Sequence, residues 1–451
     1  KDYGIDQLRY YLIKEVSLGN DGSISMENLK NCINNDLANN YGNLCQRVFS
    51  FIKKNCENKI PRGVNLNQND LKLIYNLKKN IPNFYSESIM NRTKVISGIQ
   101  QIGIGNTDVV QTTEWYRRYF GMDIMVFDDE ATADLMLPYT GGKPHDRRAI
   151  LSLSMRGGGG FEIWQYTSRT PAPMKGEVYL GDFGINAAKI KTVNIQKSFE
   201  EFNMKGLNVV TSLQNNPAGE PHFFVKDLHG NLFQVIQGRS FFRKKERMLT
   251  GGVVGVVIGS SDIDRSLTLY QDILGYDNVI YDKEGIYNDF RGLNGTGIPY
   301  RRCLIRHSQP RKGGFSALFG PTEIELLQRI DTDAKLSPPK KLYKNRYWGD
   351  PGFIHLCFDV QGMDMLKIEC ESKGYPFTVD SASSFDMGEA AGRFTYIEDP
   401  DGTLIEFVET HKVPIAKKFG LFVDMTKRDP EKSLPKWMLQ ALSLSRMKPL
   451  S

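Results

Sequence analysis

A strand ending that occurs twice constrains this chain most. It reads Asp227-Leu228-His229-Gly230-Asn231-Leu232-Phe233-Gln234-Val235 and later Asp399-Pro400-Asp401-Gly402-Thr403-Leu404-Ile405-Glu406-Phe407. Each copy is a tight turn closed by glycine and followed by an extended apolar run, the pattern of a β-strand leaving a turn. The copies differ where one carries the amide of Gln234 and the other the carboxylate of Glu406. A chain that repeats a turn and strand at this distance has duplicated a scaffold, and the exchange predicts a metal ligand kept in one copy and lost in the other.

The repeat extends over most of the chain. Ile102-Gly103-Ile104-Gly105-Asn106-Thr107-Asp108 is echoed by Val256-Val257-Ile258-Gly259-Ser260-Ser261-Asp262, and Phe161-Glu162-Ile163-Trp164-Gln165 by Ile324-Glu325-Leu326-Leu327-Gln328. Gly184-Ile185-Asn186-Ala187 is matched with Phe353-Ile354-His355-Leu356. The spacings rise in order, 154 for Gly105 to Gly259, 163 for Glu162 to Glu325, 169 for Asn186 to His355 and 172 for Gln234 to Glu406. Small loop insertions between ordered copies produce such a drift. Each half divides again into two units of strand, helix and strands.

Residues 1–90 have a different composition. They hold 16 Asn against 13 in residues 91–451, and 5 of the 42 glycines. Leu29, Ile33, Leu37, Leu44, Val48 and Ile52 follow helical spacing, with Asp6 to Val16 as an earlier helix and Asp70 to Leu77 as the start of a third. Asn20-Asp21-Gly22-Ser23-Ile24 looks like part of a calcium loop, but Ser17 and Asn28 stand where acidic end ligands are needed, so calcium binding is not expected. Tyr3-Gly4-Ile5-Asp6-Gln7-Leu8-Arg9-Tyr10-Tyr11-Leu12 and Asn35-Asp36-Leu37-Ala38-Asn39 with Gly42-Asn43-Leu44 resemble methionyl-tRNA synthetase, over residues 1 to 88. In that family the stretch joins the catalytic domain to the anticodon-binding helices. The ATP-binding signatures are not in this chain, so the resemblance implies a remnant without aminoacylation activity, and Met90 is a natural start for the duplicated body.

A chain of 451 residues exceeds one core, and about two to four domains are expected. The net charge of +6 is scattered, without the basic block that nucleic-acid binding needs. No apolar run is long enough to span a membrane. The six cysteines form neither C-x-x-C pairs nor zinc-finger spacing, which with no secretory leader points to the cytoplasm. Gly157-Gly158-Gly159-Gly160 precedes a strand and lacks the Lys of a phosphate loop, so it reads as a hairpin turn.

From residue 95 to 411 the repeated strand–helix–strands units resemble the vicinal oxygen chelate superfamily, which includes glyoxalase I, methylmalonyl-CoA epimerase and the extradiol dioxygenases, and most closely its bacterial tandem glyoxalase-like members. The resemblance implies an α+β fold of four βαβββ units in two paired cups (the vicinal oxygen chelate fold), preceded by an α-helical segment. The boundaries expected are 1–90 for that segment, 91–243 for a first domain with a degenerate site, 244–411 for a second with a metal site, and 412–451 for a helical tail docked on the body. It also implies four ligand positions per half. They fall on Gln101, Glu162, Asn186 and Gln234 in the first half, and on Gly255, Glu325, His355 and Glu406 in the second.

The metal site is therefore expected at Glu325, His355 and Glu406, with Glu325 and Glu406 also catalytic. Strand alternation supports this, because Glu406 shares a face with Leu404 and Val408, where an unpaired carboxylate is costly. One histidine and two carboxylates suit a divalent ion (Mn, Mg, Zn, Ni or Fe) acting as a Lewis acid, whereas iron oxygenases use two histidines and one carboxylate. His307 is not placed at the missing position. Arg302, Arg306 and Arg393 could meet an anionic substrate, and Tyr347 and Trp348 could line the pocket. The leading expectation is lyase or isomerase proton transfer on a small chelating substrate, by a monomer or homodimer. The alternatives are an Fe(II) extradiol or 4-hydroxyphenylpyruvate-type dioxygenase, a non-catalytic binding protein, and tRNA binding by residues 1–90.

Overall fold

The computed structural model describes residues 94–174, 176–330, 337–381, 385–387, 390–416 and 421–448. The expected helices of residues 1–90 lie outside the described residues. By compactness the chain divides into Lys1–Glu87 and Ser88–Ser451.

The body consists of four units. The first is β1 (Val95–Gly105), α1 (Val109–Phe120), β2 (Ile124–Thr132), β3 (Asp146–Leu153) and β4 (Gly160–Tyr166). The second is β5 (Gly184–Thr192), α2 (Ile195–Met204), the short β6 (Asn208–Val209) and β7 (Gln214–Asn215), then β8 (Pro221–Lys226) and β9 (Leu232–Gln237). The third is β10 (Thr250–Gly259), α3 (Ile263–Tyr270), β11 (Asn278–Gly285), β12 (Tyr300–Arg306) and β13 (Glu323–Arg329). The fourth is β14 (Gly352–Gln361), α4 (Met363–Ser372), the short β15 (Val379–Asp380) and β16 (Phe385–Met387), then β17 (Ala390–Glu398) and β18 (Leu404–Thr410).

Local chemistry explains the repeated segments. Asp108, Asn194 and Asp262 cap α1, α2 and α3 by accepting from the N–H three residues on, which supplies donors that the first turn leaves unpaired. In the repeated turns, Asp227 Oδ1 accepts the N–H groups of His229 and Asn231, and Asp399 Oδ1 those of Asp401 and Thr403. The other oxygens take a tyrosine from the preceding unit's helix, Tyr116 on Asp227 and Tyr270 on Asp399.

The units do not pair within the halves. One sheet runs β15-β17-β18-β14-β1-β4-β3-β2 and joins the fourth unit to the first; the other runs β11-β12-β13-β10-β5-β9-β8-β6 and joins the third to the second. The seams are antiparallel, β1 on β14 and β10 on β5. Of the four glycines read as a turn, three precede β4 and Gly160 opens it, and they also bring two backbones together. Gly159 and Val253 exchange both backbone hydrogen bonds at 2.7 and 2.8 Å, and a Cβ on Gly158 would lie 2.6 Å from the Gly252 carbonyl carbon.

One face of each sheet packs on a shared core that includes Ile102, Ile104, Phe161, Ile163, Leu356, Phe358, Ile405 and Phe407. In the tail, Leu434 and Leu439, the latter in α5 (Lys436–Ala441), pack with Ile124, Leu153, Phe242 and Phe319 of the body. No helix among the described residues is long and apolar enough to cross a membrane.

Candidate metal centre

Alternation on four strands carries the chemistry to one face. If Phe161, Ile163, Ile405 and Phe407 face the core, Glu162 and Glu406 must face away from it. Pairing sets their neighbours: Gly103 lies beside Glu162, Gln101 opposite Cys357, Cys357 beside Glu406 and His355 beside Leu404. Among the described residues, Glu162, His355 and Glu406 bring their ligand atoms within 4.8 Å of one another.

His355 is fully buried, with Nε2 at 3.2 Å from Glu162 Oε2 and 3.0 Å from Glu406 Oε2. Neither oxygen meets it with hydrogen-bond geometry. Gln101 donates to Glu162 at 3.0 Å and to Glu406 at 3.5 Å. Tyr396 holds the far side of the ring, its hydroxyl 3.4 Å from Nδ1. Gly103 makes room for the imidazole, since a Cβ there would lie 2.4 Å from His355 Cε1. Burial opposes a charge on His355, but the carboxylates of Glu406 and Glu162 outweigh it and push its pKa up to about 10. Glu406 is held below the usual carboxylate range in spite of burial, mainly by His355. Two carboxylates this close demand a positive charge between them. The donor set fits a divalent cation, which would cancel both carboxylate charges, whereas a proton on His355 cancels one.

Of the three metal ligands expected from the sequence, the structure brings together His355 and Glu406 and leaves Glu325 in the other sheet. Glu162 takes its place, because the first and fourth units share a cup. Glu325 is engaged elsewhere: Lys189 Nζ contacts it at 2.8 Å, Arg302 Nη2 at 2.7 Å and the Tyr281 hydroxyl at 2.8 Å. Lys189 also meets Glu323 at 2.9 Å, and Arg302 continues to Asp289 at 2.8 Å. Burial disfavours a charged Glu325, yet Arg302 and Lys189 hold it far below the ordinary range. This buried carboxylate is a structural anion with its cations built in, and a catalytic role for it does not fit.

The second cup lacks the other ligands as well. Lys189 lies beside Gln234 as Cys357 lies beside Glu406, so two residues back the counterpart of His355 is Ala187, a spacing of 168 rather than 169. Asn186, expected at that position, instead bonds the backbone of Gly181 and Asp182. The remaining candidates divide similarly. Arg306 is paired with Glu323 and Glu220, and Arg393 with Asp380 and Asp364. His307 bonds the Gln309 carbonyl and the Thr322 N–H. Trp348 does reach the site, its ring 6.3 Å from that of His355 and tilted by only 13°. Sequence reasoning missed Glu162 as a partner of His355. It also missed the repeat of Tyr179-Leu180-Gly181-Asp182 and Tyr347-Trp348-Gly349-Asp350, which would have corrected the spacing.

The family model described as "Glyoxalase/Bleomycin resistance protein/Dioxygenase superfamily" matches residues 98–235 and 252–407, and the chain belongs to that superfamily. The glyoxalase I of Zea mays is 14% identical, covering 70% of this chain and 92% of that one at a TM-score of 0.44. A Mn(II)-bound glyoxalase from Novosphingobium aromaticivorans is 12% identical over 76% of this chain and 89% of that one, TM-score 0.23. Residues 1–49 match the family model "tRNA synthetases class I (M)". Methionine–tRNA ligase of Brucella suis is 58% identical over 60 residues, 13% of this chain, and the chain spans only 12% of that relative's length.

Proposed function

We propose that the chain is a metal-dependent glyoxalase-type isomerase or lyase whose active site is Glu162, His355 and Glu406. The observation that carries this reading is the convergence of those three ligand groups within 4.8 Å. They would hold one divalent cation, with the Gln101 amide beside them. Such an ion supplies a Lewis acid that polarises vicinal oxygens of a small substrate.

The residues supply the rest. Glu406, with its side chain 8% exposed and flanked by Tyr396 and His355, is an anchor. Glu162, at 14%, is the more accessible carboxylate and takes the role of base. It accepts the proton from the carbon next to the polarised carbonyl and returns it to the neighbouring carbon. The electron pair stays within the substrate and the proton held on Glu162 exchanges with solvent before its return, so no oxidant is needed. Iron-dependent oxygenation fits less well, because the cluster contains one histidine. A non-catalytic binding role is the second reading. It is favoured by the partial self-compensation of the triad, in which a protonated His355 offsets one of the two carboxylate charges.

The test is solvent deuterium entering α-hydroxycarbonyl compounds, followed by NMR with the full chain loaded with Mn, Ni or Zn, beside oxygen uptake with Fe(II). The expected result is exchange without oxygen uptake, reduced about a hundredfold or more by Glu162→Gln. Oxygen uptake without exchange favours the dioxygenase, and neither activity with metal retained favours the binding protein.

A further inference from the structure

Trp348 reaches the centre on a loop that the molecule contains twice. In Tyr347-Trp348-Gly349-Asp350-Pro351-Gly352 the Asp350 carboxylate accepts the Tyr347 N–H at 2.8 Å, and in Tyr179-Leu180-Gly181-Asp182-Phe183-Gly184 Asp182 accepts that of Tyr179 at 3.0 Å. Both loops press a backbone carbonyl onto a glycine of a first strand, Asp350 onto Gly105 and Asp182 onto Gly259. The loop over the Glu162–His355–Glu406 cup carries tryptophan. The loop over the cup without those ligands carries Leu180, packed with Tyr300, Phe290 and Leu293. The fold of the loop therefore does not require an indole.

The position of Trp348 is set firmly. Its backbone N–H donates to Tyr139 O at 3.0 Å, and its carbonyl accepts the Tyr166 hydroxyl. Asp350 is clamped by Arg169 at 2.6 Å. The ring lies nearly parallel to His355, with Trp164 edge-on at 4.5 Å and Tyr396 edge-on at 6.1 Å. Trp348 is 7% exposed, yet its indole N–H has no acceptor among the described residues. A buried tryptophan N–H ordinarily finds one.

We propose that this N–H donates to an oxygen of the small molecule bound at Glu162, His355 and Glu406. The proposal rests on the functional reading above and adds the recognition element. An acceptor oxygen satisfies a donor that the fold leaves unmatched.

The test uses the full chain, Mn2+ followed by electron paramagnetic resonance, and tropolone, a planar molecule with adjacent oxygens, followed by calorimetry on the Mn2+-loaded protein. Trp348→Phe keeps an aromatic ring and removes the donor. It is expected to leave Mn2+ affinity within about twofold and to weaken tropolone about tenfold, the effect of one hydrogen bond. Trp348→Leu, which copies the second cup, is expected to weaken tropolone at least as much. Unchanged tropolone affinity in Trp348→Phe overturns the donor while the metal reading stands. Loss of Mn2+ by that variant also overturns it, because the ring would then be supporting the ligands. A wild-type chain that takes up no Mn2+ overturns the metal reading and this proposal with it.

Discussion

At the scale of single residues, burial and charge neutrality explain the interior polar groups. Glu325 and Glu406 are both carboxylates on apolar strands, but one is neutralised by Lys189 and Arg302 and the other by a histidine that a metal ion can replace. Asp359, further along the strand of His355, has no such cation. It is 1% exposed with one oxygen unpaired, and burial pushes its pKa up to about 7, helped by Glu409 and opposed by the Ser97 hydroxyl. Its unfolded value is about 3.9. The folded state thus binds the extra proton between those values, and stability must fall as pH rises from about 4 to 7. Asp359→Asn removes this slope. Chemical denaturation at pH 4.5 and 7.5 is expected to show Asp359→Asn gaining on the wild type by up to about 3 kcal/mol across that interval. An equal pH response in both proteins would contradict the assignment.

At the scale of elements, much was readable in the sequence. The duplicated turns and the faces of β14 and β18 that carry His355 and Glu406 follow from turn chemistry and alternation. His355 and Glu406 stand at ligand positions that the family resemblance implies, and alternation supports them because a polar side chain on an apolar strand face needs a reason. Two things were not readable. The match of Asn186 with His355 was one residue out of step, and on a strand one residue exchanges the faces. The grouping of Glu325 with His355 assumed that units adjacent in sequence share a cup, whereas hydrogen bonding across β1 and β14 is a long-range choice that no local pattern encodes. Lys189 shows what the second cup became. Its ammonium, between Glu323 and Glu325, supplies the positive charge there. Lys189→Ala leaves buried carboxylates uncompensated and is expected to cost about 3–5 kcal/mol by urea denaturation. A cost below about 1 kcal/mol would mean that water already screens the pair.

At the scale of the whole molecule, duplication has left two cups with different interiors. The cup of the first and fourth units brings together Glu162, His355 and Glu406, and the cup of the second and third pairs Glu325 with Lys189 and Arg302. Residues 1–49 match a synthetase family model that the body does not, and the compactness boundary at Glu87 agrees with the change in composition near residue 90. The central claim is that the metal site joins the first unit to the fourth. Its most direct test is metal content by mass spectrometry on the full chain after loading, comparing wild type, Glu162→Gln, His355→Ala and Glu325→Gln, with folding checked by circular dichroism. The account predicts about one divalent ion per wild-type chain, lost in Glu162→Gln and in His355→Ala and kept in folded Glu325→Gln. Full metal in Glu162→Gln, with loss in a folded Glu325→Gln, would contradict it.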